Sequence, residues 1–439
     1  MKILFLLHHF LPEYPSGVEV YTYRLAQEFR KRHDVVLFFS TELPATAPEY
    51  AIRDGIFDGL VFQSIVNRNQ QVEKFSETYL NPTISAAFGK FLDLVRPDVA
   101  HVHHLITLSI DLLQQLTMRN IPIVYTLHDF WLQCPLFTRL KSDASLCWGV
   151  DLNECARCAR SEIDQWDMRG WKKPLRTRRL AATYLTQLQK REQTIKEALA
   201  DVSLFLGPSH FLLEEHRKWG IPLEKSRYSP YGYSVTGTET SGSKEAAGKV
   251  RFGFIGSIVH HKGVHVLLEA FRQLTSQQAE LHVFGGFYDK PYEERIRALA
   301  QGDERIRFHG RFLPDQLAEV YAHFDILVIP SIWFENSPLT INEAFIHRAP
   351  VIAGNVGGMK ELVSDQYGAL FTLGDPRSLC EQLERVMDAP ELLAGWKENV
   401  PQVKTIEENV AELEDIFSSL MLPEPRSSDA EKVEPIDAA

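Results

Sequence analysis

No stretch of this chain approaches the eighteen or so consecutive apolar residues needed to span a bilayer. The amino end, "MKILFLLHHFLPEYP", has one lysine and an apolar run that stops at His8 and His9. That run is too short for a secretory signal and lacks a small-residue cleavage site. It reads as a buried strand, and cytoplasmic residence is the expectation. Positive charge is also in short supply. Lys plus Arg number 47 against 58 Asp plus Glu, a net charge of −11, which excludes a general nucleic-acid binder and leaves any anionic ligand to a local positive patch. Two short motifs are missing as well. No Gly-x-Gly-x-x-Gly occurs, which argues against a dinucleotide-dependent dehydrogenase. No Asp-x-Asp occurs either, the usual acidic pair for a divalent metal on a diphosphate. Cysteine is scarce, with five in 439 residues, and four of the five crowd into one segment.

What is present describes an ordinary globular chain, 44% hydrophobic and 24% charged, long enough for two or three domains. Near-continuous apolar runs alternate with helix-like segments. In the first half "KILFLLHHF", "DVVLFFST", "VAHVHHL", "IPIVYTLHD" and "DVSLFLGPS" predict strands. In the second half "KVRFGFIGS", "AELHVFGGF", "ERIRFHGRF", "FDILVIPSI" and "APVIAGNVGG" repeat the plan. Such strands separated by helices predict parallel sheets covered on both faces. The expected organisation is a Rossmann-like unit over residues 1–232 with a cysteine-rich, basic insertion at 134–191, then a polar interdomain loop at 233–248. A second Rossmann-like unit follows over 249–421, with a polar, disordered tail at 422–439. Two doubly wound α/β domains would put their ligand crevice between their carboxyl strand ends.

Several residues fall at those strand ends. Ser16 and Gly17 precede a helix whose free N–H groups can receive a phosphate or polar acceptor, or serve only a tight turn. His101 and His103 lie on one face of their strand and His104 on the other, with His103 the candidate for the cleft. His128 and Asp129 end the next strand. In "FIGSIVHHKGVHVLLEAF", Lys262 and Gly263 open a helix after a strand, a point charge beside backbone donors without Walker spacing. In "FENSPLTINEA", Glu335 and Glu343 bracket Ser337 and Pro338, where a helix begins. A carboxylate there can accept the hydroxyls of a ribose while the N–H groups of Leu339 and Thr340 face a phosphate. Taken alone, the pair reads better as helix-terminus charges complementing a dipole.

Together these segments resemble the family 4 glycosyltransferases of the GT-B fold, with "SGVE", "PDVAHVHHL", "GSIVHHKGVHVLLEAF" and "FENSPLTINEAFIHRAPVIAGNVGGMKELV" in order to about residue 420. The resemblance implies a retaining transferase that takes sugar from a nucleotide-diphosphate donor and needs no metal or other cofactor for catalysis. By motif match, Glu343 would hold the ribose, Glu335 the sugar, and Lys262 with nearby amides the diphosphate. His103 would contact the transferred sugar, and Gly17 would approach from the other domain. The acceptor would be a glycan or lipid-linked molecule, in cell-surface polysaccharide or glycolipid synthesis. One departure is Ser257, where the family commonly carries an arginine, leaving His260, His261 or an arginine elsewhere as substitutes. A nucleotide-sugar epimerase of the same fold and a non-catalytic sugar-nucleotide binder are the rival readings.

Two features stand outside that scheme. Cys134, Cys147, Cys155 and Cys158 could hold a structural zinc, stay as free thiols, or pair in a redox role. From Arg157 to Arg191 ten Lys or Arg face three acids, with Trp166 and Trp171 interleaved. That stretch suits either peripheral contact with an anionic membrane, placing the protein at its inner face, or a solvated helix face.

Overall fold

The computed structural model describes residues 1–141, 143–167, 181–235, 248–313 and 316–421. The middle of the basic stretch with Trp171, most of the expected interdomain loop and the expected tail lie outside the described residues.

The chain forms two sheets. The first has strands β1 (Lys2–Leu7), β2 (Asp34–Thr41), β3 (Ile52–Phe57), β4 (Leu60–Val66), β5 (Val99–Val102), β6 (Ile123–Thr126), β7 (Leu204–Gly207) and β8 (Ser226–Tyr228). Their order is β3-β4-β2-β1-β5-β6-β7-β8. The second comprises β9 (Val250–Ile255), β10 (Ala279–Phe284), β11 (Ile306–Gly310), β12 (Ile326–Ile329), β13 (Val351–Gly354) and β14 (Gly368–Phe371), in the order β11-β10-β9-β12-β13-β14. All pairings are parallel except β3 with β4. Residues Ile3 to Leu7 of β1 are fully buried, as a strand covered on both faces by helices requires.

Each sheet has one place where the strand order reverses, and a crevice opens there at the carboxyl ends. In the first it lies between β1 and β5, in the second between β9 and β12. Ser16 and Gly17, His103 and His104, Lys262 and Gly263, and Glu335 follow those four strands, while His128 and Asp129 follow β6, the neighbour of β5.

One element crosses between the units. The final helix, Ile406–Met421, was expected in the second unit but packs on the first sheet. Its Val410, Leu413 and Phe417 share a core with Ile3, Phe5 and Phe29. Phe417 stacks on Phe29 at 5.6 Å, and Asn409 Oδ1 accepts the Tyr21 hydroxyl at 2.8 Å. The helix's apolar stripe was legible in the sequence, but the surface it covers depends on how the chain returns, which periodicity does not encode.

Candidate functional site

On the second domain, β9 ends in a loop that carries Ser257, exposed, and then a short 3₁₀ turn, His260–Lys262. Gly263 follows with φ +69°, and a Cβ there would lie 1.9 Å from the Pro330 carbonyl oxygen. Only glycine allows the turn to press against the segment leaving β12. That close approach brings Lys262 to Glu335. Glu335 Oε1 accepts from Lys262 Nζ at 2.7 Å, Ser331 Oγ at 2.7 Å and Trp333 Nε1 at 2.9 Å. Burial pushes the Glu335 carboxyl up, but the Lys262 ammonium and the three donors outweigh it and hold it below its ordinary value. Lys262 also lies 5.3 Å from the Trp333 ring centroid.

Ser337 and Asn336 are buried beside it, and Pro338 caps the Leu339–Ile346 helix. Helix geometry leaves the first N–H groups, those of Leu339 and Thr340, without acceptors of their own. Glu343 sits one turn further, its Oε1 bonded at 3.1 Å to Arg24 of the first domain. The glycine loop after β13 supports all of this. Gly358 N donates to the Glu335 carbonyl at 2.8 Å, and a Cβ on Gly358 would fall 1.5 Å from the Asn336 carbonyl oxygen.

On the first domain, His103 is fully buried just beyond β5. Its ring lies 4.2 Å from His101 by centroid, as two residues on one strand face should, and its Nδ1 is 3.0 Å from His128 Nε2. Burial, with His101 and His128 close by, holds it well below an ordinary histidine, so it is neutral. Its Nε2 is buried without a partner among the described residues. His104 points the other way, bonding Asp129 at 3.1 Å.

The domains meet across this region. Gly17, first residue of the Gly17–Phe29 helix, lies against Leu339, a Cβ built on it falling 3.7 Å from the leucine. Two helix starts from opposite domains therefore face one crevice, a place where anions are received. Asn336 Nδ2 donates to the His128 carbonyl at 2.5 Å. Glu361 takes the His210 N–H at 2.8 Å and that of Phe211, capping a first-domain helix from the second domain.

The structure thus gathers Lys262, Gly263, Glu335, Ser337, Pro338, Leu339, Thr340 and Glu343 on one side of the crevice, with Gly17 and His103 belonging to the other. His261 does not replace the missing arginine as a cation, since burial and then Lys262 hold it down to about 4. Sequence reasoning missed Arg24, which carried no motif and is positioned only by the docking of the two domains. It also missed Glu19, whose Ser-x-x-Glu spacing reads as a helix cap. Ser16 instead donates its hydroxyl to Glu19 at 2.6 Å, and the carboxylate turns inward to His8 at 3.1 Å.

The four clustered cysteines are unbridged. Burial first, then Cys134, Cys147 and Cys158 nearby, pushes the Cys155 thiol up to about 12. Among the described residues, no trio of their sulfurs comes within 4.8 Å.

This geometry can be set beside known proteins. The sequence model described as "Glycosyltransferase Family 4" matches residues 15–235, and that described as "Glycosyl transferases group 1" matches residues 238–403. The chain belongs to glycosyltransferase family 4. A family member, the D-inositol 3-phosphate glycosyltransferase of Corynebacterium diphtheriae, is 24% identical over 391 residues, 85% of this chain and 82% of its own. The putative colanic acid biosynthesis glycosyltransferase WcaL of Escherichia coli K12 is 27% identical over 207 residues. That match spans 44% of this chain and 48% of WcaL. The solved structure of Anabaena HepE in complex with UDP superposes with a TM-score of 0.66 at 18% identity, covering 95% of this chain and all of that one. The fold is GT-B, and the protein is a glycosyltransferase.

Proposed function

We propose that this family 4 enzyme is a retaining transferase. It takes sugar from a nucleotide-diphosphate donor and adds it to a glycan or lipid-linked acceptor in cell-surface polysaccharide or glycolipid synthesis. The observation that carries the reading is the Lys262–Glu335 pair at the strand-order reversal, one helix start away from Glu343. In this scheme Glu343 accepts the ribose hydroxyls and Glu335 the sugar. Lys262 and the Leu339 and Thr340 amides hold the diphosphate, while His103 and Gly17 approach from the acceptor side. As the bond to the leaving diphosphate stretches, negative charge accumulates there. Donors already fixed in place stabilise that charge without reorganising. Lys262 commits one N–H to Glu335 and keeps two for phosphate oxygens.

We take the transfer itself to need no metal, since the Asp-x-Asp pair is missing from the sequence. A structural zinc at Cys134, Cys147, Cys155 and Cys158 is a separate proposal, supported by their common segment, and requires the sulfurs to close in. The names of the relatives support the substrate class. One is a glycosyltransferase for an inositol phosphate, one belongs to colanic acid biosynthesis, and the structural neighbour was solved with UDP.

The test is a thermal-shift panel of UDP-, GDP-, TDP- and ADP-sugars, followed by product analysis with and without acceptor. A donor at a hundred times its dissociation constant stabilises by about 2.7 kcal/mol. One nucleotide is expected to win, and the product to keep the donor's anomeric configuration by NMR. No shift with any donor, or conversion of donor without acceptor, would overturn the reading.

A further inference from the structure

His8, His9 and Glu19 lie on the first domain, where β1 meets the Gly17–Phe29 helix. One ligand atom from each lies within 4.8 Å of the other two, and no other His, Cys, Asp or Glu group among the described residues meets that limit. We propose that these three side chains bind a divalent transition-metal cation of the zinc class.

Four observations carry it. First, Glu19 is 1% exposed, and a carboxylate so buried needs a cation or a full set of donors. Its side-chain partners are one hydroxyl and one imidazole. Second, His8 Nδ1 and His9 Nε2 are buried with no partner among the described residues. Orphaned ring nitrogens inside a protein call for an explanation, and an absent ion is one. Third, Glu19 accepts its own backbone N–H at the helix start and turns Oε1 to His8 at 3.1 Å, leaving Ser16 without a capping bond. Fourth, the cluster is walled. Tyr14 stacks on His9 at a centroid distance of 3.9 Å. His104, whose ring is 4.7 Å from that of His8, already has Nε2 on Asp129 and Nδ1 on the Ile106 N–H.

Ligands about 2.0–2.2 Å from a tetrahedral zinc stand about 3.3–3.6 Å apart. A group already inside 4.8 Å closes by roughly an ångström, within side-chain torsions. Two imidazoles and one carboxylate suit zinc, cobalt or nickel and disfavour calcium and magnesium, which prefer oxygen throughout. Three protein ligands leave a fourth position for water or an acceptor group.

The experiment uses the full chain stripped with chelator and titrated with Co²⁺ and Zn²⁺, in wild type and in a Cys155→Ser background. Thiolate ligation gives cobalt intense charge-transfer absorption that nitrogen and oxygen ligands do not. One equivalent without that absorption is expected in both proteins. His9→Gln is expected to weaken it at least tenfold, and Glu19→Gln provides the second variant should His9→Gln fail to fold. The bound metal should raise the melting midpoint of wild type and leave that of the folded variant unchanged. Absence of any equivalent beyond a thiolate site, or full retention of it in a folded variant, would overturn the proposal.

Discussion

Glu335 is a buried carboxylate whose neighbours keep it ionised, and Glu343 is a carboxylate whose side-chain partner among the described residues reaches across from the other domain, Arg24. The two play different parts for that reason. Glu335 is pinned by three donors from its own domain, whereas the Glu343 oxygen that a ribose would use is held by a residue of the other. If Glu343 holds the ribose as proposed, donor entry competes with that pair. Both side chains are largely buried, so the cost of taking the charges out of water offsets much of their attraction, and Arg24→Ala is expected to tighten nucleoside-diphosphate binding by up to about fivefold in calorimetric titration. A tenfold loss would mean instead that Arg24 holds the donor itself. The motif glutamates were legible in the sequence because their spacing around a proline is local. Arg24 and Glu19 were not, since their partners lie on elements that meet only after folding.

The loops after β9, β12 and β13 act as one element, locked by glycines at points of backbone contact. Gly358→Ala would drive a methyl into the Asn336 carbonyl oxygen and push the glycine loop off Glu335. The expected outcome is a loss of about 2 kcal/mol or more in denaturant unfolding, with donor binding lost in whatever fraction folds. Below that layer, Arg251 at the start of β9 forks onto Asp325 ahead of β12, with Nε and Nη2 at 3.1 and 3.0 Å, and Lys397 adds a third contact at 3.1 Å. Burial pushes the Asp325 carboxyl up, yet Arg251 and Lys397 bring it below its ordinary value. A depressed folded value stabilises above the unfolded pKa, near 4, and that stabilisation disappears as pH falls through the folded value. Arg251→Met is therefore expected to unfold at higher pH than wild type in an acid melt. The central strands of both sheets were readable from apolar runs, while the short edge strands β8 and β14, of three and four residues, were missed. The antiparallel β3–β4 hairpin was missed too: β3 is largely exposed and carries no buried period, whereas β4, apolar and buried at Leu60, Ile65 and Val66, offered a run that sequence reasoning passed over.

At the scale of the whole molecule, the chain's return to its first domain makes the two units interdependent. Phe417 is fully buried in the first domain's core, and removing such a ring costs about 3–5 kcal/mol. Phe417→Ala should lower the stability of β1 and the Gly17–Phe29 helix. Hydrogen exchange would show faster exchange there and little change in β9 to β14. The opposite pattern would contradict the packing described above. The same crossing keeps Gly17 and Leu339 in contact, which is how a two-domain protein presents one crevice.

That the crevice is built around a donor diphosphate is the central claim, and Lys262 tests it most directly. Calorimetric titration of the preferred nucleoside diphosphate into wild type and Lys262→Ala isolates the cation that pairs with Glu335. A loss of tenfold or more, about 1.4 kcal/mol, in a variant that still folds is what the account predicts. Unchanged affinity would contradict it.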